Sequence, residues 1–179
     1  MAESFSNSLT RAVGIVTSSS NASIGVGLTW MSGISTAHVA IHDLVDNANF
    51  IAGTKVTFVG VSSVQLDTAS TNTTAATASN VSFLGPTTSF TSGASEKSIL
   101  IGGTFANNTA NSVNLTVSVY DNSTATETQL AAKIPVPTGS SFVISDAGKT
   151  VLEGSDEIRV YCDTANAIDV NLSILKGVS

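Results

Sequence analysis

The sequence carries little charge. Of its 179 residues, 7 are Lys or Arg and 13 are Asp or Glu, so charged residues make up 11% of the chain and the net charge is −6. An ordinary soluble domain carries about 25%. Seven cations cannot build the basic face that neutralises phosphates, so a duplex nucleic-acid binder is excluded and no nucleic-acid partner is expected. A charge-rich, solvated helical protein is excluded on the same ground. Cys162 is the only cysteine, so no intramolecular disulfide can form. That fits assembly in a reducing cytoplasm and argues against a disulfide-stapled secreted domain. Residues Met1 to Ser8 lack the basic start and apolar run of a secretory signal, and none is expected. No stretch approaches the ~18 apolar residues of a membrane span, so no membrane partner is expected either.

Hydroxyls stand where charge is missing, with 27 Ser and 23 Thr. Hydrophobic residues are 42% and mean hydropathy is +0.30, which argues against disorder. The length suits one or two small domains with a buried core.

The dominant pattern has period two. Val113, Leu115, Val117 and Val119 alternate with Ser112, Asn114, Thr116 and Ser118; Ile168, Val170, Leu172 and Ile174 alternate with Asp169, Asn171 and Ser173. Ile158 and Val160 are flanked by Glu157 and Arg159. Shorter examples are Val56 with Phe58, Val64 with Leu66, and Val81 with Phe83. Such alternation predicts strands with one face on a core and the other on water or a partner. Turn residues punctuate the second half at Gly102-Gly103, 106–111, Asp121-Asn122-Ser123, 135–139, Asp146-Ala147-Gly148 and 153–156. Residues 35–47 read as a strand or a weak helix. Residues 126–133 read as loop or strand. Residues 68–80 are small and polar, an exposed loop or a polar strand, and 85–95 read as a linker.

Ala52-Gly53-Thr54-Lys55-Val56-Thr57-Phe58-Val59-Gly60, followed by Val64 to Asp67, Ala69 to Thr73 and Val81-Ser82-Phe83, resembles a repeat of phage structural proteins. Ser98 to Gly103, Val113 to Tyr120, Ile134 to Ser141, Lys149 to Asp156 and the last strand through Ile174 resemble a recurrent pattern of virion proteins from tailed phages, including marine and cyanobacterial ones. The resemblance implies a small antiparallel β-sandwich. In such proteins a strand similar to Leu9 to Val16 comes shortly before the Ile-Gly strand. Here about 70 residues separate the two, which implies an inserted block. The expected fold is therefore all-β: an antiparallel, jelly-roll-like β-sandwich at 88–179, an N-terminal arm or first strand at 1–22, and an inserted or preceding small β module at 23–87.

Residues with catalytic potential are sparse. His38 and His42, with Asp43 and Asp46, form the one cluster of metal-ligand types. On a strand the two histidines lie about 13 Å apart; on a helix they would be one turn apart. There is no third histidine, so polar surface residues are the expectation, with no metal or cofactor. Glu153, Asp156 and Glu157 could mimic a glycosidase acid pair, but a charged hairpin before Ile158 is the simpler reading. Cys162 reads as a small core residue, with a surface thiol as the alternative.

Four residues are candidates for a subunit interface: Phe5 and Leu9 in the arm, and Trp30 and Met31 in a Gly/Ser-rich setting. Phe5, Leu9, Val13, Ile15 and Val16 need burial in their own sandwich or on a neighbour. Trp30 and Met31 are either core or interface anchors. Low charge itself favours assembly, because hydroxyls and amides cross an interface without the penalty of burying ions. The expectation is a non-enzymatic phage virion structural protein assembled in the host cytoplasm, a capsid decoration or cement or head-neck subunit. Its partners would be other virion proteins of capsid, neck or tail and further copies of itself. The alternative is a tail- or fibre-associated module that binds another tail protein or a host glycan.

Overall fold

Alternating apolar and polar residues become strands throughout. In the computed structural model, residues 3–145 and 149–178 are described; the turn expected at Asp146-Ala147-Gly148 lies outside them. The described residues are all-β, arranged as antiparallel sheets. The chain forms two compact units, one from Met1–Gly14 with Thr87–Ser179, the other from Ile15–Pro86.

The first unit is a β-sandwich. Its five-stranded sheet runs in the order β1 (Ser4–Val13), β15 (Ile168–Val178), β9 (Lys97–Asn107), β12 (Ser141–Ile144), with β13 (Thr150–Leu152) also paired to β9. Its four-stranded sheet runs β11 (Thr126–Val136), β10 (Val113–Asp121), β14 (Glu157–Cys162), β8 (Thr87–Thr91). The inward residues of the two sheets make one core. Leu100 and Phe105 on β9 and Ile168, Val170, Leu172 and Ile174 on β15 face Leu115, Val117, Ile158, Val160 and Cys162. Each large aliphatic side chain buried there contributes about 1.5–3 kcal/mol. Leu172→Ala, at a fully buried position, would leave a cavity and cost about 2–5 kcal/mol. Gly103 lies beneath this layer, where a Cβ would meet Leu172 Cδ2 at 2.8 Å.

The second unit is a six-stranded sheet in the order β4 (Leu44–Asp46), β7 (Ala76–Gly85), β2 (Ile15–Ile24), β3 (Trp30–Ser32), β6 (Ser63–Leu66), β5 (Val56–Val59). Its two ends meet. Val45 N–H donates to Thr54 O at 2.8 Å, Val56 N–H to Asp43 O at 3.0 Å, and His42 N–H to Val56 O at 2.9 Å. The sheet thus closes into a small barrel, which removes its edges. Ala22, Ile24, Met31, Ile34, Val39, Val45, Phe50, Val56, Val64, Leu66, Val81 and Phe83 fill it.

Several expectations need correction. Residues 15–22, read with the N-terminal arm, belong to β2 of the barrel. Residues 87–91, read as linker, are strand β8, paired to β14. Residues 36–42 are turns rather than a strand, because His38 and His42 both have left-handed backbone, at φ 66° and 78°. Phe58 does not share the buried face of Val56. A register shift between the two turns its ring outward, so that Val56 is fully buried and Phe58 is 49% exposed. Thr116 and Ser118, expected to face water or a partner, are buried within the chain itself.

Candidate interaction surfaces and an outer-face polar cluster

Cross-strand partners point to the same side of a sheet, so the register gives the outer face of the five-stranded sheet. Ile174, Leu172 and Val170 point inward, so their neighbours on β15 point out. Phe5 pairs with Leu175, Leu175 with Ile99, and Ile99 with Val151. These four make an apolar row across β1, β15, β9 and β13. Leu9 pairs with Asn171, Asn171 with Thr104, and Thr104 with Val143, which makes a second row. Phe5 and Leu9 are 79% and 72% exposed, and Val143 and Val151 lie above half exposure. Between the rows lie Asn7, Ser173 and Gly102. The two rows and the residues between them carry no charge. Phe5 and Leu9 therefore do belong to a strand of their own sandwich, yet its core leaves them uncovered.

The barrel unit has a smaller patch. Trp30 and Phe58 both lie opposite Gln65, on β3 and β5 respectively. Their rings meet edge to face, with centroids 5.9 Å apart. Trp30 is 44% exposed. Met31, its neighbour in sequence, points the other way and is wholly buried in the barrel core. Met31 is thereby removed from the interface candidates; alternation on β3 separates the two.

The outer face of the four-stranded sheet carries a polar cluster that alternation around β14 foreshadows. Thr116, Ser118 and Tyr120 on β10 lie opposite Tyr161, Arg159 and Glu157 on β14, and Tyr120 lies opposite Glu127 on β11. Tyr161 Oη donates to Glu127 Oε1 at 2.8 Å, and Ser118 Oγ donates to the same oxygen. Arg159 Nε donates to Glu157 Oε2 at 2.8 Å, while its Nη1 lies 3.8 Å from Glu127 Oε2. The guanidinium stacks on Tyr120, 3.6 Å from the ring centroid. Burial opposes the charge of Arg159, but the hydrogen bond and charge of Glu157, together with Glu127, outweigh it and hold its pKa above the usual value. Burial, then the charge and hydrogen bond of Glu127, push the Tyr161 phenol far up. The Glu127 side chain is only 3% exposed. It is thus an acceptor already engaged and out of reach of a substrate, and the cluster ties three strands together. Sequence reading noticed Glu157 and Arg159 but missed Glu127 and Tyr161, because β11 showed no clear pattern.

The other residues weighed for chemistry separate. His38 and His42 are exposed in turns, Asp43 is buried, and no group of three or more metal-ligating side chains comes together among the described residues. Asp43 Oδ2 accepts from Ala40 N–H at 2.9 Å, and burial raises its pKa. Glu153 pairs with Lys97 at 3.0 Å, and Glu157 with Arg159. Asp156 is buried and accepts from Glu153 N–H at 2.9 Å and Asn122 N–H at 3.1 Å. The three carboxylates of that hairpin thus serve three different contacts. Cys162 lies in the core, where burial raises its thiol pKa.

No protein family matches the sequence, and no curated protein matches it. Among solved structures, a chain of the infectious bursal disease virus Gt strain is similar at a TM-score of 0.33 and 10% identity, over 95% of this chain and 55% of that one. This chain thus spans about half the length of that relative, and a likeness of that degree carries no argument about fold or function.

Proposed function

We propose that this chain is a non-enzymatic structural subunit of a phage virion, a capsid decoration or cement protein or a head-neck accessory. In this reading it acts through protein–protein contacts, with copies of itself and with other virion proteins. The observation that carries the reading is the outer face of the five-stranded sheet, where Phe5, Leu175, Ile99 and Val151 form an apolar row among hydroxyls and amides. The part of the face made by the two rows and the residues between them carries no ion and is cheap to desolvate, and depletion of charge marks interface centres. The phage-like motifs of both halves and the structural use of every carboxylate in the hairpin at 153–157 support the same reading. Mass spectrometry of purified particles, with copy number, tests it. The expected result is a stoichiometric component of mature virions, and absence from them overturns the proposal.

The Trp30–Phe58 pair favours a second reading, a tail- or fibre-associated module. Two exposed rings flanking Gln65 offer stacking faces and an amide, the groups that hold a sugar. Antibody labelling of tails, with binding to host glycans that Trp30→Ala abolishes, would favour it over the first.

A further inference from the structure

The edges of the sheets are guarded unequally. The barrel closes on itself. At the far side of the sandwich, β11 carries two register shifts, Pro135, and Lys133 at φ 47°. β8, β12 and β13 span five, four and three residues. β1 is different. It is ten residues long and contains neither Pro nor Gly; its one register shift, between Thr10 and Val13 with Ala12 at φ 56°, falls at its C-terminal end, and among the described residues it pairs on one side only, with β15. A long edge strand with free N–H and C=O groups is a template for another strand.

The residues of β1 say which strand. Asn7 lies at the centre of a nearly palindromic run. If two β1 strands pair antiparallel with Asn7 on the two-fold axis, Phe5 meets Leu9 of the second copy, Ser6 meets Ser8, and Ser4 meets Thr10. Glu3 then meets Arg11. These are the only charged residues in the first 42, they have opposite signs, and both are exposed. By alternation Glu3, Phe5, Asn7, Leu9 and Arg11 share the outer side. Any other in-phase register places Phe5 and Leu9 against polar residues or leaves an ion pair unmade. Such a pairing is isologous and closes as a dimer.

We infer that two copies of this chain join through their β1 edges, in antiparallel register about Asn7, so that the five-stranded sheets of two sandwiches become one continuous sheet. The contact runs the apolar Phe5 row of each copy into the Leu9 row of the other. It names the first partner of the face on which the proposed function rests. It needs only that β1 is a contact strand, not that the chain resides in a virion.

The test uses the full chain. Light scattering during size exclusion should give a dimer that dissociates on dilution. Asn7→Cys should oxidise to a covalent dimer, because the two positions face each other. Thr10→Cys should not, since six residues of offset part the two thiols by about 20 Å. The wild-type chain, with Cys162 in the core, is the thiol control. Glu3→Arg and Arg11→Glu should each weaken the dimer about tenfold, because symmetry makes two like-charge contacts from each reversal. The double variant should restore it. A wild-type monomer overturns the inference, as does cross-linking of Thr10→Cys but not Asn7→Cys, or a double variant as weak as the singles. A monomer in solution that is nonetheless found in particles would sink this inference and leave the proposed function standing; a dimer absent from particles would do the reverse.

Discussion

The Tyr161 hydroxyl reaches across β10 to donate to Glu127 Oε1 at 2.8 Å, so that β14 and β11, which do not pair, are joined over the strand between them. Ser118 on that middle strand donates to the same oxygen. Three strands of the outer face thus share one carboxylate.

Removing that carboxylate should be costly. Glu127→Ala strips the acceptor from two buried hydroxyls and a counter-charge from Arg159, at a cost of about 3 kcal/mol. Glu127→Gln keeps an acceptor and should lose about 1 kcal/mol. Urea unfolding of the two variants checks the order.

The Tyr161 phenol gives the fold an alkaline limit. Its folded pKa is raised above the unfolded value of about 10. The folded state therefore holds the proton where the unfolded state releases it. That stabilisation is whole below about pH 10 and is lost as the pH climbs toward the folded value. Tyr161→Phe should show a smaller loss of stability above that pH. Thermal melts of both proteins across the alkaline range measure the difference.

Asp43 should act in the same sense at the acid side. Burial raises its folded pKa above the ordinary value of 3.8, so acidification protonates it in the folded protein first. Relative to Asp43→Asn, whose amide oxygen can still accept from Ala40 N–H, the wild-type protein should gain stability as the pH falls through the folded value, down to the unfolded one. Paired denaturation curves from neutral to acid pH give the sign.

Gly14 should tolerate nothing larger. Its φ is +134°, and a Cβ there would stand 2.1 Å from Thr164 O. Val13 O and Gly14 O also accept from Ala167 and Asn166 N–H, so the backbone cannot swing away freely. Gly14→Ala should cost more than about 3 kcal/mol, seen as a large drop in Tm or as insoluble protein.

Asp156→Ala should cost about 2 kcal/mol, because two backbone N–H groups lose a buried acceptor. Differential scanning calorimetry is the check. A stability loss of that size is the signature of a turn clamp rather than of a catalytic acid.

The strands that build the sandwich core were legible because their pattern is regular. Leu115, Val117, Ile158, Val160 and the series from Ile168 to Ile174 alternate without interruption, and all are buried. Legibility failed where the backbone breaks period two. Left-handed His38 and His42 dissolve the strand that is one reading of residues 35–47, and the shift before Phe58 turns an aromatic ring outward. The polar cluster was hidden for another reason. Ser118 reads as a solvent residue, and only the register that sets it beside Arg159 and near Glu127 explains its burial. Of the four interface candidates, Phe5 and Leu9 are bare, Trp30 is half bare, and Met31 is core. One step along a strand decides that last pair, and composition carries no information about that step.

Ile15 and Gly85 are direct cross-strand partners at the two ends of the barrel segment. The chain therefore enters and leaves the barrel at points about one strand spacing apart. In sequence, the whole barrel stands as one insertion between Gly14 and Thr87. A cassette attached in this way can be lengthened, exchanged or replaced by a two-residue turn at one location, and no sandwich strand has to change its partners. Variation in the barrel can then proceed independently of the sandwich strands.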